Sequence, residues 1–177
     1  VFQDRGLEKT VKAAIPGRVY PVAGLMFIFC MIFFILTPTM ALFLRDNSLG
    51  DARMAGLAIS FSTIGGFFSG FSLPKTRKLT GKLFFPIMLA IMSMGFWFLY
   101  LSSVLGMVFL GSAVIGFANR SIFPVFFLHA TRDISREQSV KVTAMLSSMI
   151  YIGQFTAPIF QKMVGFVFHD STARFLY

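Results

Sequence analysis

Charge is scarce in this chain. Only 13% of its 177 residues are Asp, Glu, Lys or Arg, about half the share of an ordinary soluble domain. Acidic residues number 7, and none falls inside a long apolar run. Any membrane-embedded carboxylate that carries a proton must therefore come from outside these runs. Cysteine is limited to Cys30, which excludes a disulfide framework and a thiolate metal site. The two histidines, His129 and His169, stand at the ends of apolar runs without a metal-ligand companion. The chain has no phosphate loop, no HExxH and no nucleophile elbow, so neither an enzyme nor a cofactor is expected. The basic segments are too short for a nucleic-acid module, so no nucleic-acid partner is expected either.

What the chain has instead is hydrophobicity: 56% of residues are apolar or aromatic, 24 of them Phe. A bilayer core needs about 20 helical residues. Five runs approach or exceed that length, at about 21–44, 54–73, 83–101, 105–128 and 142–160. Five such runs leave almost no polar surface for a soluble fold, and their continuity argues against a membrane β-barrel. The expected fold is an all-α polytopic membrane protein.

The net charge of +9 belongs to the loops. Arg5, Lys9, Lys12 and Arg18 precede the first run. Lys75, Arg77, Lys78 and Lys82 follow the second, and Arg132, Arg136 and Lys141 follow the fourth. These eleven cations share one side, against Arg45, Arg53, Arg174 and Lys162, which snorkels, on the other. The positive-inside rule then makes the N-terminus cytoplasmic. Trp97 and Tyr100 mark an aromatic belt at the outer end of the third run. Residues 1–20 read as a cytoplasmic loop or linker, and HDSTARFLY reads as the approach to a sixth span, so the chain is expected to be part of something longer.

The segments IGFANRSIFPVFFLHATRDISREQ and KVTAMLSSMIYIGQFTAPIF carry a resemblance. Gly116, Pro124, Arg136, Gly153, Gln154, Phe155 and Pro158 fall on features of the tenth and eleventh spans of drug and sugar transporters. In GFSLPKTRKLTGK, Gly70, Lys75, Arg77 and Lys78 match a glycine and basic loop pattern, with Pro74 in place of its acidic residue. The chain thus resembles the C-terminal half of a major facilitator superfamily transporter, spans seven to eleven of twelve. The resemblance implies an incomplete six-helix half-bundle with its final helix missing, and an N-terminal six-helix half as partner. It also implies a small-molecule substrate, protons as the coupling ion, and a bacterial inner membrane as the location.

Candidate site residues follow from polarity inside the runs. Arg120 is a charge within the fourth run, beside Asn119, and such charges usually face a cavity or a partner. Two readings stand: Arg120 binds an anionic group of a substrate, or it snorkels and pairs with a neighbouring helix. Tyr151 and Gln154 share a helical face with Ser147, facing either a substrate or another helix. Phe34, Phe61 and Thr63 are candidate cavity lining. Gly66, Gly70 and Gly116 are candidates for close helix packing. Lys75, Arg77, Pro124 and Pro158 are candidates for gating. The expected function is secondary active transport, with drug or metabolite efflux as one form of it. The alternative is a non-transporting sensor or scaffold of the same architecture.

Overall fold

The computed structural model describes residues 14–168. Arg5, Lys9, Lys12, His169 and Arg174, with most of the N-terminal linker and the HDSTARFLY tail, lie outside the described residues. Among the described residues the fold is all α, with no strand. The helices are α1 (Val19–Phe33), α2 (Leu36–Asp46), α3 (Ala52–Thr80), α4 (Phe84–Tyr100), α5 (Leu105–Ala130) and α6 (Arg136–Phe168).

Among the described residues, four helical stretches are long and apolar enough to cross a membrane: Val19–Asp46, Ala52–Tyr100, Leu105–Ala130 and Arg136–Val164. The chain is a multi-pass membrane protein. The sequence led to five spans, and the correction lies in the second stretch, which is 49 residues long. The basic segment after residue 73 is not a loop. α3 continues through Pro74 to Thr80, and a 3-10 turn at Gly81–Leu83 leads directly into α4. Leu, Lys and Arg are good helix formers, and Arg77 and Lys78 complement the negative end of the α3 dipole. Polar turns of this kind extend a helix past its apolar window. α6 likewise begins six residues before the expected 142.

Local chemistry sets the other boundaries. A proline ring collides with the carbonyl four residues upstream. For Pro38 that carbonyl belongs to Phe34, where α1 gives way to a turn before α2. The Phe34 amide still bonds to the Cys30 carbonyl at 2.9 Å, and the Thr39 hydroxyl donates to the Ile35 carbonyl at 2.6 Å. The Asp51 carboxylate caps α3, accepting from the amides of Arg53 and Met54 at 3.1 and 3.2 Å. Ser135 and Gln138 form a reciprocal capping box at the start of α6, with bonds of 3.2 and 3.3 Å.

The chain divides into two compact units, whose boundaries fall at Phe34/Ile35, Phe123/Pro124 and Ala157/Pro158. In the smaller unit, α1 buries Val19, Ala23, Met26 and Cys30, a row at spacings of four and three. α6 buries Val142, Leu146, Gly153 and Ala157. Gly153 admits the α1 backbone: a Cβ there would stand 2.7 Å from Cys30 Cβ and 3.1 Å from the Phe27 carbonyl oxygen. Phe29 and Phe126 pack with ring centroids 5.8 Å apart.

In the larger unit, α5 packs against α3 and α4 through small residues. Phe61 stacks on Phe109 at 4.8 Å, and further along both helices the Ser69 and Ser121 hydroxyls bond at 2.7 Å. α3 therefore runs parallel to α5. Gly95 meets Ile115 while Leu99 meets Gly111, so α4 runs antiparallel to α5. The reversal between them occurs at Gly81, whose φ of +51° suits glycine. A Cβ on Gly65 would stand 2.8 Å from the Ala113 carbonyl carbon. One on Gly116 would collide with the Ser62 carbonyl, and one on Gly111 would stand 2.9 Å from the Gly95 carbonyl oxygen.

These contacts make unequal predictions for chemically identical substitutions. Gly116→Ala should destabilise the protein by about 1–3 kcal/mol, because the added methyl meets backbone that cannot move aside. Gly70→Ala should cost little, since a Cβ at that position meets nothing within 4 Å. Thermal unfolding of both variants in the same lipid nanodisc distinguishes them. Equal melting points would contradict the packing described.

Candidate functional site

The three prolines beyond the first turn of a helix have a common consequence. Proline has no N–H, so the carbonyl four residues before it loses its helical donor. Pro74 leaves the Gly70 carbonyl in α3, Pro124 leaves the Arg120 carbonyl in α5, and Pro158 leaves the Gln154 carbonyl in α6. All three helices continue through their prolines. Two of the released carbonyls thus belong to residues whose side chains are themselves polar. Where a helix crosses hydrocarbon, such groups must find water or protein.

On α6 the arrangement is sharpest. Successive helix residues turn by about 100°. Ser147, Tyr151, Gln154 and Pro158 therefore project on one side, about a third of a turn from the buried row of Val142, Leu146, Gly153 and Ala157. Tyr151 is 71% exposed and neighbouring Phe155 76%, and Gln154 is exposed too. Just before Pro158 the Thr156 hydroxyl turns back to the carbonyls of Ile152 and Gly153, at 2.8 and 3.2 Å. Ser147 is half-buried, while Tyr151, Gln154, Phe155 and Pro158 are exposed.

On α5, Asn119 is only 3% exposed. Its Oδ1 has no hydrogen-bond partner among the described residues, and neither has the buried Ser112 Oγ. The two lie seven residues apart, two turns along one side of the helix. An unpartnered buried acceptor costs more than an apolar group of the same shape. Arg120, next to Asn119, is exposed, and its stem lies over Gly66, where a Cβ would collide with Arg120 Cγ.

The structure thus brings Gly66 to Arg120 and Gly116 to the Ser62 backbone. Phe61, paired with Phe109, and Thr63 are exposed on α3, the Thr63 hydroxyl donating to the Ile59 carbonyl at 3.2 Å. Lys75 and Arg77 are exposed in the last turns of α3. Phe34 caps α1 and packs edge-on against Phe33. Tyr151 and Gln154 belong to the smaller unit, whereas Asn119 and Arg120 belong to the larger. Trp97 and Tyr100 are both exposed at the end of α4, with ring centroids 6.1 Å apart.

Sequence reasoning missed Ser112, Gly65, Gly95, Gly111 and the Ser69–Ser121 bond. The small-residue spacing of α5 was a signal for Gly111, but the serine pair joins residues 52 apart, and no local pattern announces it. Among the described residues no three of His, Cys, Asp or Glu stand close enough to hold a metal ion.

No known protein family, curated protein or solved structure matches this chain. The site is therefore interpreted from its own chemistry.

The two kinds of buried serine should behave differently. Ser121→Ala breaks the bond to Ser69 and should cost about 0.6 kcal/mol, the average for polar contacts between membrane helices. Ser112→Ala removes an orphaned hydroxyl and should leave stability unchanged or raised. Unfolding of the two variants under identical conditions tests this, and a larger loss for Ser112→Ala would show that its hydroxyl has a bound partner.

Proposed function

We propose that this chain forms one wall of a secondary transporter that moves a small molecule by alternating access. The observation that carries the proposal is the coincidence at Arg120 and Gln154. Each joins a polar side chain to a proline-released carbonyl within an apolar helix. In lipid that combination is costly. Against a water-filled path it is satisfied, and the bend that proline permits lets a helix alter its course.

The resemblance to the C-terminal half of major facilitator transporters supports the rest. A second six-helix half would face the uncovered side of α6, and protons would be the coupling ion. With no acidic residue inside the apolar runs, the proton-carrying carboxylate would come from that partner half. The charge distribution supports a cytoplasmic N-terminus in a bacterial inner membrane. Exposed Tyr151 and Phe155 suit an aromatic substrate.

Proteoliposomes that hold this chain together with its proposed partner half, under an imposed proton gradient, test this with two probes, ethidium as an aromatic cation and benzoate as an aromatic anion. The expected result is gradient-driven, protein-dependent flux of at least one probe. Arg120→Ala and Gln154→Ala should each lower that flux about tenfold without changing the melting temperature. Undiminished flux in both variants would remove these residues from the path. No flux of either probe would favour the non-transporting alternative.

A further inference from the structure

The start of α1 and the end of α5 border a partly open cavity of about 250 Å³ in the smaller unit. Its polar side is formed by Arg18, His129, Arg132 and Asp133, and its apolar side by Val19, Val22 and Ala130. Arg18 Nη2 donates to the carbonyl oxygens of Arg132 and Asp133 at 2.5 and 3.1 Å, which fixes one guanidinium at the rim. Asp133 is engaged by Arg132 Nε at 3.5 Å, so the single carboxylate is already matched and the terminal guanidinium nitrogens of Arg132 extend beyond it. His129 is exposed and makes no hydrogen bond among the described residues. The cavity therefore presents an excess of donors and positive charge, and guanidinium groups bind phosphate oxygens in pairs.

Its position names the source of the phosphate. The cavity sits where two apolar helices end, and the ends of membrane-spanning helices meet lipid headgroups. Arg18 and Arg132 both belong to the segments that hold eleven of the sixteen basic residues of the chain. From Val22 the exposed apolar side chains Leu25, Ile28 and Ile32 continue along α1, a track for an acyl chain. The volume is below the range of about 300–1,000 Å³ typical of pockets for free drug-sized ligands. Basic pockets between helix ends at the cytoplasmic face are suited to anionic headgroups.

We propose that this cavity binds the phosphate of an anionic phospholipid, with Arg18, Arg132 and His129 as donors and the acyl chain along Leu25, Ile28 and Ile32. The proposal does not depend on transport.

The test uses the full chain in nanodiscs of phosphatidylglycerol and phosphatidylcholine, followed by native mass spectrometry of the retained lipid. The wild-type chain should retain phosphatidylglycerol in preference by about tenfold, and the double variant His129→Ala with Arg132→Gln should lose about fivefold of that preference. This variant spares the bonds from Arg18, which go to backbone carbonyls, and an unchanged melting temperature confirms that it folds. Lys78→Gln, a basic change on α3 outside the cavity, should keep the preference. Equal retention of the two lipids, or a preference unaffected by the double variant, would overturn the proposal. Radiolabelled inorganic phosphate is the second probe. Its stoichiometric binding in pure phosphatidylcholine discs, with no lipid preference in the mixed discs, would assign the cavity to free phosphate and overturn the lipid source.

Discussion

The larger unit depends on how closely its helix backbones approach. In lipid, apolar side chains gain little by leaving one hydrocarbon environment for another, so helices associate through dispersion contacts and interhelical hydrogen bonds. Both require close backbones. Gly65, Gly95, Gly111 and Gly116 provide that approach, and the Ser69–Ser121 bond forms within it. The same closeness confines the stem of Arg120 over Gly66. A packing device thereby determines where the Arg120 charge can reach. In the smaller unit Gly153 does the corresponding work against the backbone of α1.

A second constraint concerns backbone polarity. Helices cross membranes because they satisfy their own N–H and C=O groups, and the prolines of α3, α5 and α6 each leave one carbonyl without its helical donor. In α5 and α6 the residue so affected is Arg120 or Gln154, so side-chain and backbone polarity fall together. Orphaned Ser112 and Asn119 add to the polarity of α5. A helix serving only as a lipid-facing support has no use for such concentrations. They are consistent with the proposal that these helices border an aqueous path.

Much of the architecture was legible in the sequence, for a physical reason. The apolar windows at 83–101 and 105–128 lie within a few residues of α4 and α5, because hydrocarbon selects residue type directly. Helical turns beyond the hydrocarbon were not legible. Around Lys75–Thr80, and from Arg136 to Lys141, the composition resembles a loop while the backbone is helical. The join between α3 and α4 makes one continuous helical stretch of two expected runs for this reason. The break at Phe34 comes from Pro38, four residues later. The polar residues themselves were legible, since any Arg or Gln in an apolar run stands out. Their surroundings were not: the cavity at Arg18 depends on a side chain meeting carbonyls 114 and 115 residues away.

The central claim is that the side of α6 bearing Tyr151 and Gln154 meets water within the membrane. Cys30 is the only cysteine, so a Cys30→Ala background accepts single cysteines at chosen positions. Tyr151→Cys and Gln154→Cys would be compared with Ile152→Cys and Ile159→Cys, whose parent side chains are also exposed but project to a different side of the helix. A charged, membrane-impermeant methanethiosulfonate reacts with thiolate, which forms in water and is suppressed in hydrocarbon. In sealed membranes the account predicts labelling at 151 and 154 and protection at 152 and 159. Protection at all four positions, or equal labelling at all four, would contradict it.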